Sequence, residues 1–115
     1  MYAPRLLEHI QNPRNVGELA PPAVTVEASN PACGDILRLS ARFEADVAVE
    51  VRYKVRGCTA SIAAGSALTE WMAGKTRAQL AAFQATIVDH AVGGLAAESK
   101  HAAALCADAV KLLLK

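Results

Sequence analysis

The chain has 115 residues, of which 53% are hydrophobic and 20% charged, and its formal net charge is +1. This length suits a single domain over residues 1–115, and the near-neutral charge, without a basic stripe, argues against a nucleic-acid partner. No apolar run approaches the length of a membrane helix and the first residues lack a secretory h-region, so we expect no membrane contact and a cytoplasmic location.

The first half of the chain has the pattern of one short helix and three strands. Apolar residues at helical spacing predict a helix that Asn12-Pro13 ends. Strands are predicted over residues 24–27, 36–43 and 47–55, with a tight turn at Ala45-Asp46 between the last two. The alternation in the third strand predicts that its apolar residues share one buried face: Val47, Val49, Val51, Tyr53 and Val55.

The second half has the spacing of helices. One helix is predicted from Thr59 to Gly74, a short one opens at Thr76, and a last helix runs from about Ser99 to the C-terminus. Residues 92–94 read as a break. Strands followed by helices predict an α+β fold, in which helices pack on one face of a three-stranded antiparallel sheet.

The 3 cysteines favour metal binding or thiol chemistry, because an odd number in a chain without an export signal does not suit a disulfide framework. Cys33 lies in a turn rich in proline and glycine, and Asp35 is near enough in sequence to be a second ligand. Cys58 joins a strand to a helix, whose N-terminus favours thiolate. The plainer alternatives are an incidental cysteine in a surface turn and a buried cysteine that fills a gap.

His101 is a further candidate ligand beside Cys33, Asp35 and Cys58. It lies in the first turn of the last helix, where the helix end favours the neutral imidazole that binds metals, although a solvated histidine is the alternative. Cys106 follows five residues later, on another face and roughly 7 Å further along the helix, so we expect it to be buried packing. His9 and His90 are interpreted as structural.

Four groups of motifs occur in order along nearly the whole chain. They are Asn12-Pro13-Arg14-Asn15-Val16-Gly17, Pro31-Ala32-Cys33-Gly34-Asp35, Gly57-Cys58-Thr59-Ala60-Ser61-Ile62-Ala63, and Thr69-Glu70-Trp71 with Gly74-Lys75. Together they resemble the U-type iron–sulfur cluster scaffold family, which includes IscU, SufU and the N-terminal domain of NifU. The resemblance implies the SufE/NifU-like fold, which agrees with the predicted elements.

The resemblance also implies a site. In that family three cysteines hold a nascent [2Fe–2S] cluster or a zinc ion beside an aspartate and a histidine. Cys33, Asp35 and Cys58 match those positions, and His101 matches the histidine that precedes the third cysteine. That cysteine is replaced by Ala102, and Cys106 lies one helical turn away, about 6 Å along the axis. The chaperone-binding Leu-Pro-Pro-Val-Lys segment of many bacterial members is also missing, because the chain has no proline between Leu95 and Ser99.

Three functions remain open on this basis. The first is an iron–sulfur scaffold or carrier without enzyme activity, which would hold iron, a [2Fe–2S] cluster or zinc and work with a cysteine desulfurase and apo recipient proteins. A cluster-bridged dimer is compatible with it, since two thiolates per chain supply the four that a [2Fe–2S] centre takes. The second is a zinc-poised protein that accepts persulfide sulfur from a desulfurase. The third is a divergent paralogue that binds the desulfurase or another partner.

Overall fold

The computed structural model describes residues 3–31 and 34–115. It confirms the predicted α+β fold with one three-stranded antiparallel sheet, in the order β1-β2-β3. In chain order the elements are α1 (Pro4–Gln11), β1 (Val24–Asn30), β2 (Asp35–Glu44), β3 (Val47–Arg56), α2 (Thr59–Met72), α3 (Arg77–Ala81), α4 (Ala85–Ala91) and α5 (His101–Leu113), with a 3-10 turn at Ala97–Ser99.

The β1–β2 hairpin determines where Asp35 lies. Strand β1 continues beyond its predicted end at residue 27, because Ser29 pairs with Ile36 and Asn30 pairs with Asp35. Ile36 in turn pairs with Arg56, the last residue of β3. The start of β2 and the end of β3 are therefore adjacent, and the segment that leads from β3 into α2 passes beside Asp35.

The predicted buried face of β3 is wrong at Val49 and also at Val47, which is half-buried beside the inward-facing Ala48. The register shifts between Arg42 and Phe43, so that Arg42 pairs with Glu50 and Phe43 pairs with Ala48. Val49 is the extra residue of this β-bulge and is 38% exposed, whereas Ala48 is fully buried. A bulge adds one residue to one strand and reverses the inward alternation on one side of it.

Helices α2 and α5 pack on the inner face of the sheet, where Leu39 and Tyr53 are fully buried. The approach of α2 to β3 depends on Gly65, because a Cβ atom there would overlap the ring of Tyr53. Helix α1 packs against α2 rather than on the sheet. Its buried residues are Leu6 and His9.

The outer face of the sheet carries ion pairs, including Arg38 with Glu18 and Arg42 with Glu50. The outer edge of β3 is covered by an N-terminal segment, since Gly17 N–H donates to the carbonyl oxygen of Tyr53 at 2.8 Å and Tyr53 N–H donates to that of Asn15 at 2.9 Å. Within residues 3–31 and 34–115, none of the helices has the length and hydropathy that crossing a bilayer requires.

Candidate metal centre

Three chain segments meet at one end of the sheet, and each contributes a metal-binding side chain. Asp35 is the first residue of β2, Cys58 immediately precedes α2, and His101 is the first residue of α5. One carboxylate oxygen, the Sγ atom and one imidazole nitrogen all lie within 4.8 Å of one another. Oxygen, sulfur and nitrogen donors at such separations can bind one small ion.

Asp35 is almost fully buried, at 3% exposure, yet both of its carboxylate oxygens have partners. Oδ1 accepts a hydrogen bond from the backbone N–H of Cys58 at 3.2 Å, and Oδ2 accepts one from the Ser61 hydroxyl at 2.6 Å. Burial acts to raise the pKa of Asp35, but the hydrogen bonds from Ser61, Cys58 and His101 outweigh burial and hold this pKa below its usual value. The carboxylate is therefore maintained as an anion inside the fold.

Gly57 makes room for this carboxylate. A Cβ atom at residue 57 would lie 2.5 Å from Cγ of Asp35 and closer still to Oδ1. Carbon atoms in contact lie about 3.5–4.0 Å apart, so only glycine allows the chain to pass Asp35 at this distance.

Cys58 presents an exposed thiol at the N-terminal end of the 14-residue helix α2. Its Sγ atom lies 3.2 Å from Oδ2 of Asp35 and 3.5 Å from Nε2 of His101. The free backbone N–H groups and the partial positive charge of a helix N-terminus favour anionic groups such as thiolate and carboxylate.

A hydrogen bond at Nδ1 fixes the orientation of the His101 ring. Its Nδ1 atom lies 3.1 Å from the carbonyl oxygen of Glu98, which can only accept, so Nδ1 carries the hydrogen in that bond. Nε2 is left facing the site, 3.2 Å from Oδ2 of Asp35. A backbone carbonyl behind the imidazole is the usual arrangement for a histidine that binds a metal through its other nitrogen.

Asp89 of α4 fixes the segment that precedes His101. Its Oδ1 accepts from the backbone N–H of Leu95 at 2.5 Å, and its Oδ2 accepts from Nζ of Lys100 at 3.1 Å. The Leu95 bond is the main reason why the pKa of Asp89 lies below its usual value. The segment from Leu95 to Lys100 is thus held at both ends by one carboxylate.

The four predicted ligands and Cys106 have different outcomes in the structure. Asp35, Cys58 and His101 converge, while Cys33 lies outside the described residues and its ligand role stays a prediction. Cys106 lies on the side of α5 that faces the core, where only 1% of the residue is exposed. Burial raises the pKa of its thiol to about 12. It packs as a hydrophobic residue, as its spacing from His101 predicts. Ala102 is also fully buried.

Ser61 was not singled out from the sequence, although it contacts two of the predicted ligands. It lies three residues after Cys58, in the first turn of α2, where a side chain lies near the helix N-terminus. Its hydroxyl bonds to Asp35, and its Oγ lies 3.5 Å from Sγ of Cys58. A serine in this position resembles many helical serines, so the sequence gives no signal for these contacts.

His9 is structural, as the sequence indicates. It is buried between α1 and α2, where its Nδ1 lies 2.7 Å from Oγ of Ser66. The same oxygen accepts a hydrogen bond from the backbone N–H of Arg14 at 2.9 Å, so its own hydrogen is free to be donated to His9. This network connects the N-terminal segment to α2, away from the site.

Comparison with known proteins finds one family over the whole chain. Residues 1–115 match the family described as the NifU-like N terminal domain. The IscU iron–sulfur cluster assembly scaffold protein of Azotobacter vinelandii is 32% identical over 118 residues, covering 99% of this chain and 91% of that protein. The bifunctional NifU/MnmA protein of Rubrobacter xylanophilus is 43% identical over 111 residues, covering 95% of this chain but only 23% of that longer protein.

A solved structure independently supports the fold. The SufU protein of Fervidobacterium islandicum AW-1 superposes with a TM-score of 0.77, covering 99% of this chain and 96% of that one. Its sequence identity is 18%, so the likeness concerns the fold alone.

Proposed function

We propose that this chain, which belongs to the NifU-like N-terminal domain family, is a scaffold on which iron–sulfur clusters are assembled and from which they are passed on. The observation that carries this function is the convergence of Asp35, Cys58 and His101 within 4.8 Å. The relatives named as iron–sulfur assembly scaffolds support it, since one of them is matched over 91% of its length. The role of a scaffold is to bind its cargo and release it, without an enzyme's turnover of substrate.

We further propose that the thiolate of Cys33 is the fourth ligand. Cys33 precedes Asp35 by two residues in the sequence, and the neighbouring Gly34 N–H donates to the carbonyl oxygen of Asn30 at 2.7 Å. Two sulfurs, one oxygen and one nitrogen form a complete tetrahedral shell for zinc, and the two thiolates suit iron–sulfur cargo. Zinc would therefore compete with iron for the same residues.

The mixture of donors suits a site that must also release its cargo. Thiolates bind iron–sulfur centres strongly because soft metal centres prefer sulfur, whereas a carboxylate oxygen is a harder and weaker ligand for them. Cys58 thus supplies affinity and Asp35 supplies an exchangeable position. Thiol and imidazole ligands bind metals in their deprotonated forms, so metal binding at sites of this kind weakens in acid.

The partners follow from the same chemistry. Assembly needs a sulfur donor, for which a cysteine desulfurase is the proposed source, and release needs an apo recipient protein with thiolates of its own. Two chains that each contribute Cys33 and Cys58 would supply the four thiolates of a bridged [2Fe–2S] cluster. A free, exposed thiol such as Cys58 needs a reducing compartment, for which we propose the cytoplasm.

Reconstitution with ferric iron, sulfide and a small thiol tests this function. Wild-type protein should develop the visible charge-transfer bands of an iron–sulfur centre and retain iron through gel filtration. Cys58→Ala should abolish both, whereas the matched variant Cys106→Ala should retain both, because that thiol is buried in the core. Wild-type protein that shows no bands and no bound metal would exclude the scaffold function.

A second candidate is supported by the exposure of Cys58. Among the described residues it is the exposed free cysteine, whereas the thiol of Cys106 is buried. A zinc-poised protein that accepts persulfide sulfur would use such a thiolate. Incubation with a desulfurase and cysteine, followed by mass spectrometry of the alkylated protein, should place the added sulfur on one cysteine in that case. A metal-free protein that only binds the desulfurase would acquire neither sulfur nor metal.

A further inference from the structure

We infer that Ser61 is a positioning residue for the metal centre, which acts by holding Oδ2 of Asp35 toward the point shared with Cys58 and His101. The inference rests on the proposed function, since it assigns a role within the same site. Ser61 is not itself one of the proposed metal ligands, and its hydroxyl contacts one of them, Asp35.

The carboxylate of Asp35 is held at two points. The backbone N–H of Cys58 fixes Oδ1 at 3.2 Å, and the Ser61 hydroxyl fixes Oδ2 at 2.6 Å. Oδ2 is also the oxygen that lies 3.2 Å from both Sγ of Cys58 and Nε2 of His101. One oxygen therefore faces the metal-binding atoms, and the group that keeps it there is Ser61.

Without the Ser61 hydroxyl, Oδ2 would contact only Sγ of Cys58 and Nε2 of His101. A metal ion would take those two atoms as ligands, and the Cys58 N–H would then be the one remaining donor, on Oδ1. A carboxylate fixed at Oδ1 alone can rotate about its Cβ–Cγ bond, so Oδ2 would spend time away from the metal position. Sites lose binding strength when ligand atoms move by about 0.5 Å, and hydrogen-bond partners behind a ligand typically change metal affinity 10- to 100-fold, so about tenfold is expected here.

The surroundings of Ser61 favour this role over that of an ordinary helical serine. Serines inside helices commonly bond to a backbone carbonyl one turn earlier. Ser61 is 2% exposed and directs its hydroxyl across to another element, 26 residues away in the chain. Its Oγ is also 3.5 Å from Sγ of Cys58, so it touches two candidate ligands at once.

Cobalt titration of the purified full-length chain tests the inference, because Co²⁺ in a site with thiolate ligands has visible and near-ultraviolet bands. Ser61→Ala should weaken Co²⁺ binding about tenfold, and Ser61→Thr, which keeps the hydroxyl, should restore most of it. The matched control is Ser66→Ala, which removes a buried hydroxyl from the same helix but away from the site. It should lower thermal stability and leave Co²⁺ affinity unchanged.

A double-mutant cycle separates positioning from general loosening of the helix. In the Asp35→Ala background, Ser61→Ala should change Co²⁺ affinity by less than about twofold, the scatter expected of independent changes. An equal weakening in both backgrounds, or unchanged affinity in Ser61→Ala alone, would overturn the inference. The cycle uses a bare metal ion, so cobalt coupling without cluster formation would refute the scaffold function and leave the role of Ser61 intact.

Discussion

Gly57→Ala is the substitution whose effect on the site can be worked out most directly. The added Cβ would lie 2.5 Å from Cγ of Asp35, whereas carbon atoms in contact lie about 3.5 Å apart or more, so the carboxyl group must retreat by about 1 Å. A metal centre tolerates displacements of about 0.5 Å. We therefore expect Co²⁺ affinity to fall by about 10- to 100-fold, the range typical for disturbed ligand geometry.

The same substitution also costs stability. Overpacking typically costs about 1–3 kcal/mol, and a non-glycine residue in a positive-φ conformation costs a similar amount. Gly74→Ala is the matched control, because Gly74 has a φ of +85° but no atom within 4 Å of its added Cβ. Gly74→Ala forces alanine into the same kind of positive-φ conformation but does not contact Asp35. It should therefore lower the free energy of unfolding and leave Co²⁺ affinity unchanged.

Urea unfolding and cobalt titration of both variants give the two quantities. If Gly57→Ala binds Co²⁺ as tightly as the wild type does, the carboxylate of Asp35 does not take part in binding and the proposed ligand set is wrong. If Gly74→Ala loses as much affinity as Gly57→Ala, the loss reflects general destabilisation rather than the displaced carboxylate.

Three further changes test other parts of the structure. Asp35→Ala should slow the release of a reconstituted cluster to an apo acceptor, because a thiol from the buffer replaces the weak carboxylate ligand. An unchanged release rate, measured by circular dichroism, would refute the role of Asp35 as an exchangeable ligand. Asp89→Ala should lower the free energy of unfolding by about 1–3 kcal/mol, because it removes the acceptor of the Leu95 N–H. Lys100→Ala removes only an exposed ion pair and should lower it by less than about 1 kcal/mol, so equal losses in urea unfolding would contradict this assignment. Burial, followed by the charge of Arg14, lowers the pKa of His9 below 6.5, so His9 is protonated more readily in the unfolded chain than in the folded one as the pH falls. The free energy of unfolding should therefore be highest above about pH 6.5 and decrease below it, and urea unfolding of His9→Asn should show a weaker pH dependence.

The strands and the long helices were predictable because each follows one repeating pattern. Alternation identified β2 and β3, and the change to helical spacing identified α2 from Thr59 onward. The errors occur where packing overrides the local pattern. Helix α4, residues Ala85–Ala91, was missed because it is short and contains three adjacent β-branched residues, which are poor helix formers. It forms because Val88 is fully buried in the core.

The ligand residues were recognisable, but their arrangement was not. Asp35, Cys58 and His101 each begin or precede a regular element, and the family motifs reinforced that signal. What the sequence could not provide is which carboxylate oxygen faces the site and what keeps it there. That depends on Ser61 and on the missing Cβ of Gly57, and both contacts arise only when β2 and α2 are packed together.

The alanine at residue 102 restricts how this chain could receive sulfur. Cys106 cannot substitute, because turning its 1%-exposed thiol toward the site would remove α5 from the sheet and displace His101 at the start of the same helix. The exposed thiol among the described residues is that of Cys58, which is also a proposed metal ligand. A thiolate bound to a metal keeps further lone pairs and is held deprotonated, so zinc loading leaves Cys58 able to attack a persulfide. If Cys58 is the acceptor, zinc-loaded wild-type protein should form a persulfide on that residue when incubated with a desulfurase and cysteine. Persulfide that still forms on zinc-loaded Cys58→Ala would refute this assignment.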